Sequence, residues 1–115
     1  MDREWTVILY AREDGKESVL KEINSYGKRN YLKILKTVEL LKHYGTTLSP
    51  DRIKHINGKI WELKIDHYRI LYFPYGNRQF ILLRIFLKKT SKTPTNEIKL
   101  ALKRLTEYTI RAGGD

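Results

Sequence analysis

The segment from residue 79 to residue 87, QFILLRIFL, constrains the fold more than any other part of the chain. Apolar side chains occupy both of its alternating faces, and only Arg84 interrupts them. A strand that is apolar on both faces belongs inside a sheet that is covered on each side. The segment therefore predicts a central strand. Lysines at 88, 89 and 92 follow it, which places positive charge where that strand ends.

Hydrophobic periodicity places the other elements around this strand. The sequence predicts a first strand over 5–12, helices over 16–25 and 28–44, strands over 60–65 and 68–73, and a last helix with Thr93 as its N-cap and Pro94 at its first position. Residues 53–56 are a candidate for a short edge strand. The order β-α-α-β-β-β-α predicts an α+β fold, with one mostly antiparallel sheet, two N-terminal helices and one C-terminal helix, as a single domain over 1–115.

Composition narrows the function classes. The chain has no cysteine, which excludes disulfides and cysteine-bound zinc. The first residues are acidic where a signal peptide needs basic ones, so we expect a soluble cytoplasmic protein without a membrane partner. No HxH, HExxH or carboxylate cluster occurs, and no glycine-rich phosphate loop. We therefore predict no metal and no cofactor.

The positive charge is concentrated in one half of the chain. The formal net charge is +10, and residues 51–104 alone carry +9, with 13 basic and 4 acidic side chains. Such asymmetry favours a polyanionic partner, with nucleic acid first and a membrane surface second. A surface that merely keeps the protein soluble is the alternative.

Strand alternation predicts which side chains meet. In the central strand, Phe80, Leu82, Arg84, Phe86 and Lys88 share one face, and Ile81, Leu83, Ile85 and Leu87 share the face expected to be covered by helices. The first face gathers Lys64, Arg69, Arg84 and Lys88 beside Phe86. An arginine in an apolar strand is costly to desolvate unless it is paired or meets an anion. An internal ion pair is the alternative for both arginines, with Glu62 as the candidate partner of Arg69.

The loop before the last helix adds a second anion-attracting element. Lys88, Lys89 and Lys92 lie next to the helix N-terminus, where free backbone N–H groups favour phosphate. Phe86 is as well suited to stacking on a base as to the core. The three histidines have no spacing that indicates a catalytic pair. The sequence thus predicts a phosphate cradle without identifying an acid or base.

Two segments carry a resemblance to a known family. IKHINGKIWELKIDHYRILYF, from residue 53, and LLRIFLKKTSKTPTNEIKLALKRLTEY, from residue 82, are similar in their order to the HigB-like, phage-derived branch of the RelE/ParE toxin superfamily. That branch has a WELR-like strand, an R-I-x-Y/F strand, and an F-x-K-K/R-T-x-K-T-P stretch leading into the last helix. The resemblance extends from the first strand to Tyr108.

The resemblance implies a toxin of a type II toxin–antitoxin system that cleaves mRNA, commonly on the ribosome. Its partner would be a HigA-like antitoxin with a helix-turn-helix domain, encoded alongside. Arg69, Lys88 and Lys89 match catalytic positions, and Lys64, Arg84, Phe86 and Lys92 match RNA-binding ones. Arg84 stands where histidine is common, and arginine stays protonated. The 2′-OH of the RNA would attack the adjacent phosphate without a metal, with either a lysine or His67 as base.

Two other functions are compatible with the same residues. A ParE-like toxin would inhibit DNA gyrase and cleave nothing, and fold alone does not separate it from a ribonuclease. A non-catalytic RNA-binding module would show affinity that falls steeply with salt and would yield no cleavage products.

Overall fold

The computed structural model describes residues 4–113 and confirms the predicted α+β fold. The elements are β1 (Thr6–Leu9), α1 (Ser18–Asn24), α2 (Lys28–Tyr44), a short 3-10 helix (Gly45–Thr47), β2 (Ile53–Asn57), β3 (Ile60–Ile65), β4 (Tyr68–Tyr75), β5 (Gln79–Leu87) and α3 (Thr95–Arg111). The candidate edge segment is a complete strand, β2, so four strands follow the two N-terminal helices. No helix in the described part of the chain is long and apolar enough to cross a membrane.

The five strands form one sheet in the order β1-β5-β4-β3-β2. β1 runs parallel to β5, and the other three pairs of neighbours are antiparallel. β5 therefore lies inside the sheet, as its two apolar faces predict, and β2 forms one edge. Strands β2 to β5 form a meander of antiparallel neighbours, so the start of β2, the end of β3, the start of β4 and the end of β5 lie at the same end of the sheet.

Each face of the sheet carries its own hydrophobic core. On one face, Val19, Ile23, Ile34, Val38 and Leu41 of α1 and α2 cluster with strand residues such as Ile70, Leu82 and Ile85. On the other face, Ala101 of α3 clusters with Ile60, Leu71, Phe73, Ile81, Leu83 and Phe86. We call these the α1/α2 face and the α3 face. Burial of apolar surface on both sides fixes the orientation of β5.

A β-bulge in β5 overturns the simple alternation expected for that strand. Leu71 pairs with Arg84, but its neighbour Tyr72 pairs with Leu82, so Leu83 is one extra residue in β5. As a result, odd-numbered residues before the bulge and even-numbered residues after it point to the same side of the sheet. The prediction that residues 81, 83, 85 and 87 share a face is wrong: 81 and 83 lie on the α3 face, 85 lies on the α1/α2 face, and 87 is exposed.

Side chains complete the hydrogen bonding of β5 where β1 ends. The carbonyl of Leu82 still accepts from the backbone N–H of Tyr10 at 2.9 Å. Farther along, Arg104 of α3 donates to the carbonyl of Leu83 at 2.7 Å, and Glu22 of α1 accepts from the N–H of Ile85 at 3.3 Å. Because buried backbone groups need partners, these two side chains hold α1 and α3 against β5.

Candidate active site

A cavity of about 240 Å³ opens on the α3 face, and the Thr93 hydroxyl, in the loop before α3, contacts Glu62 in its lining. Glu62 pairs across the sheet with Leu71, a member of the α3-face core, which places the Glu62 side chain on that face. The cavity is lined by Pro50, Asp51, Arg52, Ile53, Lys54, Glu62, Lys64, Arg69 and Lys88. Residues from the loop before β2, from β2, β3 and β4, and from the end of β5 thus contribute to one site.

Glu62 forms the floor of the cavity. Its side chain is only 4% exposed, and Oε1 lies 3.7 Å from Nε of Arg69 and 3.9 Å from Nζ of Lys88. The other carboxylate oxygen, Oε2, accepts a hydrogen bond from the Thr93 hydroxyl at 2.6 Å. The start of β4 and the stretch from Lys88 to Thr93 therefore converge on a single carboxylate of β3. The hydrogen bond on Oε2 fixes the carboxylate and leaves Oε1 facing the two cations.

Arg69 is held in place by the backbone around it. Its Nη1 group donates to the carbonyls of Asp66 and Tyr68, both at 2.8 Å, and its side chain is 13% exposed. Asp66 has a φ of 55° in the tight turn between β3 and β4, which directs its carbonyl toward the guanidinium. The ion pair with Glu62 that the sequence left as an alternative is present, and the predicted convergence of Arg69 with Lys88 is present as well.

Lys88 is positioned by an extension of the β4–β5 pairing. Its backbone N–H donates to the carbonyl of His67 at 2.8 Å, and its side chain, 12% exposed, turns toward Glu62. The His67 side chain is 80% exposed and approaches Asp66 at 3.8 Å. The predicted residues Lys89 and Lys92 are exposed in the loop that follows and do not line the cavity. They stay candidates for outer phosphate contacts.

The cavity keeps an excess of positive charge after Glu62 is counted. Five cationic side chains and two carboxylates line it, which gives a formal net charge of +3. Arg52, Lys54 and Lys64 are all exposed at its rim. A buried carboxylate is costly to desolvate, and the nearby charges of Arg69 and Lys88 offset part of that cost. The arrangement can accept an anion above Glu62.

Arg84 corrects one of the sequence predictions. Instead of facing the cavity, its Nε donates to Glu97 of α3 at 2.6 Å, and its Nη1 lies 3.1 Å from Glu22 of α1. Arg104 lies 2.8 Å from the same Glu22. Burial disfavours the charged form of Arg84, but the hydrogen bond to Glu97 and the attraction of both carboxylates outweigh it and raise the pKa of the guanidinium. Arg84 is therefore internally paired and does not line the cavity.

Phe86 corrects another. It is 3% exposed and belongs to the α3-face core. A ring enclosed in this way has no face available for stacking on a base. Phe86 pairs with Arg69 in the sheet, and the apolar residues of α3 pack in the same core cluster as its ring. The aromatic of the F-x-K-K stretch anchors the strand end that carries Lys88.

The sequence reasoning missed the central role of Glu62 and Thr93. Thr93 was expected to cap α3, but Pro94 occupies the N-cap position and the Thr93 hydroxyl donates to Glu62 instead. The signal for Glu62 was its place between apolar residues on a strand face that also carries Lys64. Arg52 and Lys54 were also missed, and their alternation along the edge strand was the available signal.

The described residues contain no metal-binding cluster: none of residues 4–113 belongs to a group of three or more histidine and carboxylate side chains that could hold an ion. The charged and hydroxyl groups at the site are the buried carboxylate of Glu62, the exposed carboxylate of Asp51, the Thr93 hydroxyl and five cationic side chains.

The fold and the cavity define a small α+β protein whose sheet presents a cationic cavity with a carboxylate at its floor. A scan against family models matches residues 21–106 to the family described as phage-derived protein Gp49-like (DUF891). The chain belongs to this family, which is part of the RelE/ParE-like toxin superfamily. The match runs from α1 to α3 and includes every residue that lines the cavity. A search of curated proteins finds no match.

Proposed function

We propose that the chain is the toxin of a type II toxin–antitoxin system and that it cleaves mRNA by attack of the RNA's own 2′-OH. Membership of the Gp49-like family is consistent with such a toxin. The observation that carries the proposal is the convergence of Arg69 and Lys88 on the buried Glu62 inside a cavity of net positive charge. A carboxylate with two cations within 4 Å of it provides the groups that phosphodiester transesterification needs.

Glu62 acts as the general base in this mechanism. Its Oε1 takes the proton from the 2′-OH, and the 2′ oxygen forms a bond to the adjacent phosphorus. Thr93 holds Oε2 so that the reactive oxygen points to the substrate. The bond between phosphorus and the 5′ oxygen then breaks. The products are a 2′,3′-cyclic phosphate and a 5′-OH, and no metal takes part in the step.

Arg69 and Lys88 stabilise the charge that develops on the phosphorane. Arginine suits this role because its planar group donates two hydrogen bonds to two phosphate oxygens. Lys88 also donates the proton that the departing 5′ oxygen takes up, and solvent exchanges protons with Glu62 and Lys88 after the reaction. Loss of one such cation costs about 3 kcal/mol of transition-state stabilisation, which is roughly a hundredfold in rate.

Glu62 fits the role of base better than either group that the sequence left open. His67 projects into solvent on the turn between β3 and β4 and does not line the cavity. Lys88 is already the nearest ammonium to Oε1 and serves as a charge there. A base must lie within hydrogen-bond reach of the proton it removes, and only Glu62 lies on the cavity floor between the two cations.

The partners follow from the same proposal. The substrate is mRNA, engaged on the ribosome in the cytoplasm, and a HigA-like helix-turn-helix antitoxin encoded beside the toxin blocks it. A short neighbouring gene for such a protein is the cheapest supporting observation. Co-expression of that gene relieves growth arrest if the proposed pairing is right.

The decisive experiment compares Glu62→Gln with the parent on purified RNA and on translating ribosomes. Glutamine keeps the size and the hydrogen bond from Thr93 but cannot take a proton, so cleavage falls by roughly a hundredfold or more. Rate is measured from labelled fragments, and the 2′,3′-cyclic phosphate end is identified by mass spectrometry. Lys36→Gln, an exposed change on α2, is the matched control and cleaves like the parent.

Three results contradict the proposal in different ways. If Glu62→Gln cleaves like the parent, Glu62 is not the base. If the parent binds RNA and leaves it intact on ribosomes, the chain is a binding module. If the parent leaves mRNA intact and stalls DNA supercoiling by gyrase, it is a ParE-like inhibitor, and primer extension on mRNA from induced cells then shows no new ends.

A further inference from the structure

A second cavity of about 330 Å³ adjoins the first. It is lined by Ser49, Asp51, Arg52, Lys64 and Asp66, and it shares Asp51, Arg52 and Lys64 with the cavity over Glu62. The open surface therefore continues from the proposed cleavage site across β3 to the loop before β2. The two cationic side chains that belong to both cavities, Arg52 and Lys64, mark the passage between them.

The sheet register aligns three cations across neighbouring strands. Lys64 pairs directly with Arg69 on β4. On its other side, the backbone N–H of Lys64 donates to the carbonyl of Arg52 at 2.7 Å, which continues the β2–β3 ladder by one residue. Directly opposed residues point to the same face of a sheet. Arg52, Lys64 and Arg69 therefore form a row perpendicular to the strands, on the α3 face.

The residues of this cationic row differ in whether they form an ion pair with a carboxylate. Arg69 is paired with Glu62. By contrast, within residues 4–113 neither Arg52 nor Lys64 forms an ion pair with a carboxylate, and both are exposed. Neighbouring strands lie about 4.8 Å apart, so the row extends over roughly 10 Å. That length seats a second phosphate beside the one above Glu62.

We propose that the cationic row is a phosphate track in which Arg52 and Lys64 bind the phosphate next to the scissile one, so that a single RNA strand crosses the sheet at right angles to β3 and β4. The proposal rests on the proposed function for the position of the scissile phosphate. It adds the direction of the substrate strand and a second subsite, which takes a phosphodiester and reads no base.

The first test measures binding without cleavage. A 2′-O-methyl RNA strand lacks the attacking hydroxyl, so its affinity reports binding alone. For single strands, log affinity falls with log salt by about 0.7 per phosphate contact. Arg52→Gln/Lys64→Gln lowers that slope by about 0.7 or more. Lys28→Gln/Lys36→Gln, which removes the same charge from the exposed surface of α2, changes it by less than half as much. Equal slopes for the two double variants overturn the track.

The second test uses substrate length. A dinucleoside monophosphate offers only the scissile phosphate, so Arg52→Gln/Lys64→Gln lowers kcat/KM several-fold less for this substrate than for a longer strand. For a longer strand, the same variant lowers kcat/KM by about tenfold and leaves kcat unchanged, because the lost contact binds without acting on the reacting atoms. A loss of the same size on both substrates overturns the second subsite.

The two tests separate this inference from the proposed function. A parent that binds 2′-O-methyl RNA with the track-dependent slope, but cleaves no ordinary RNA, leaves the track standing and removes the nuclease. If the parent cleaves RNA but the salt slope does not change when Arg52 and Lys64 are replaced, the nuclease stands and the phosphate track is removed.

Discussion

Two clusters of arginine and carboxylate lie against the sheet, and they differ in how their charges are paired. In the cavity, Arg69 and Lys88 stand 3.7 and 3.9 Å from Glu62, with further cations at the rim. In the second cluster, which we call the Arg84 network, two arginines meet two carboxylates at 2.6 to 3.1 Å. The first cluster has an excess of positive charge, whereas the charges of the second are balanced.

The comparison shows that an arginine in an apolar strand is not by itself evidence of a site. Arg69 and Arg84 look alike in sequence, and both point to the same side of the sheet. What separates them is the number of carboxylates that reach each guanidinium. Two helices supply acids to Arg84, and only the cavity floor supplies one to Arg69. A phosphate can compete for the loosely paired arginine and not for the tightly paired one.

The largest expected effect separates the clusters by activity. Arg69→Ala lowers RNA cleavage by roughly a hundredfold, because the phosphorane loses its bidentate donor. It also lowers the free energy of unfolding, by about 1 to 2 kcal/mol, because the buried Glu62 loses one of its two neighbouring cations and keeps Lys88. The measurements are kcat/KM on a labelled RNA and urea unfolding followed by circular dichroism.

Growth gives the same contrast in cells. Expression of Arg69→Ala permits growth where the parent arrests it. If both proteins arrest growth equally, Arg69 is not part of the toxic site and the comparison between the two clusters loses its functional meaning.

The second effect is on stability, and here the variant of Arg84 is expected to lose more than the variant of Arg69. Arg84→Met leaves Glu22 and Glu97 facing an apolar side chain, which costs about 2 to 3 kcal/mol. The value lies below that of a fully buried pair because Arg104 still compensates Glu22. Urea midpoints measure the change, and Arg69→Met is the matched control with a smaller shift. Equal shifts for the two variants show that the Arg84 network is no tighter than the cavity.

The smallest effect is expected for a third ion pair, Glu107 with Arg111 on α3, which is more exposed than either cluster. Hydrogen bonds from Arg111 and from the Tyr10 hydroxyl lower the pKa of Glu107 below its ordinary value of 4.5. A depressed folded-state pKa adds stability above the unfolded-state pKa, and that stability is lost as pH falls through the folded-state value. The pair contributes less than about 1 kcal/mol.

Glu107→Gln tests this pH dependence directly. The difference in unfolding free energy between parent and variant is largest near neutral pH. It shrinks as pH falls below about 4.5, where the unfolded chain takes up the proton first, and it is lost once pH falls below the lowered folded-state pKa. Urea titrations at neutral and acidic pH measure it. A constant difference across this range shows that the charge of Glu107 does not contribute.

The sequence predicted the fold because its signals were local. The helix over 28–44 has the predicted bounds, and β5 is central because its composition requires cover on both faces. The convergence of Arg69 and Lys88 was also predictable, since adjacent strands carry them. The bulge at Leu83 was not, because a single extra residue leaves no compositional trace.

The carboxylate partners of the two arginines could not all be predicted from the sequence, for a different reason. Glu22 and Glu97 belong to helices 62 and 13 residues away from Arg84, and helix rotation against a sheet is set by packing. Glu62 was visible as a partner of Arg69, but its place under Thr93 depends on where α3 begins. Long-range side-chain geometry, more than element type, limited the prediction.

The closure of β5 by Glu22 and Arg104 has a consequence for self-association. An exposed strand edge is a template on which another molecule can add a strand and start a fibril. Past Leu82, an incoming strand would have to displace two charged side chains from the backbone groups they occupy. At β2, on the opposite side of the sheet, a lysine and an irregular register discourage the same event. Charged side chains thus oppose the addition of another strand both at β2 and along the part of β5 that β1 leaves unpaired.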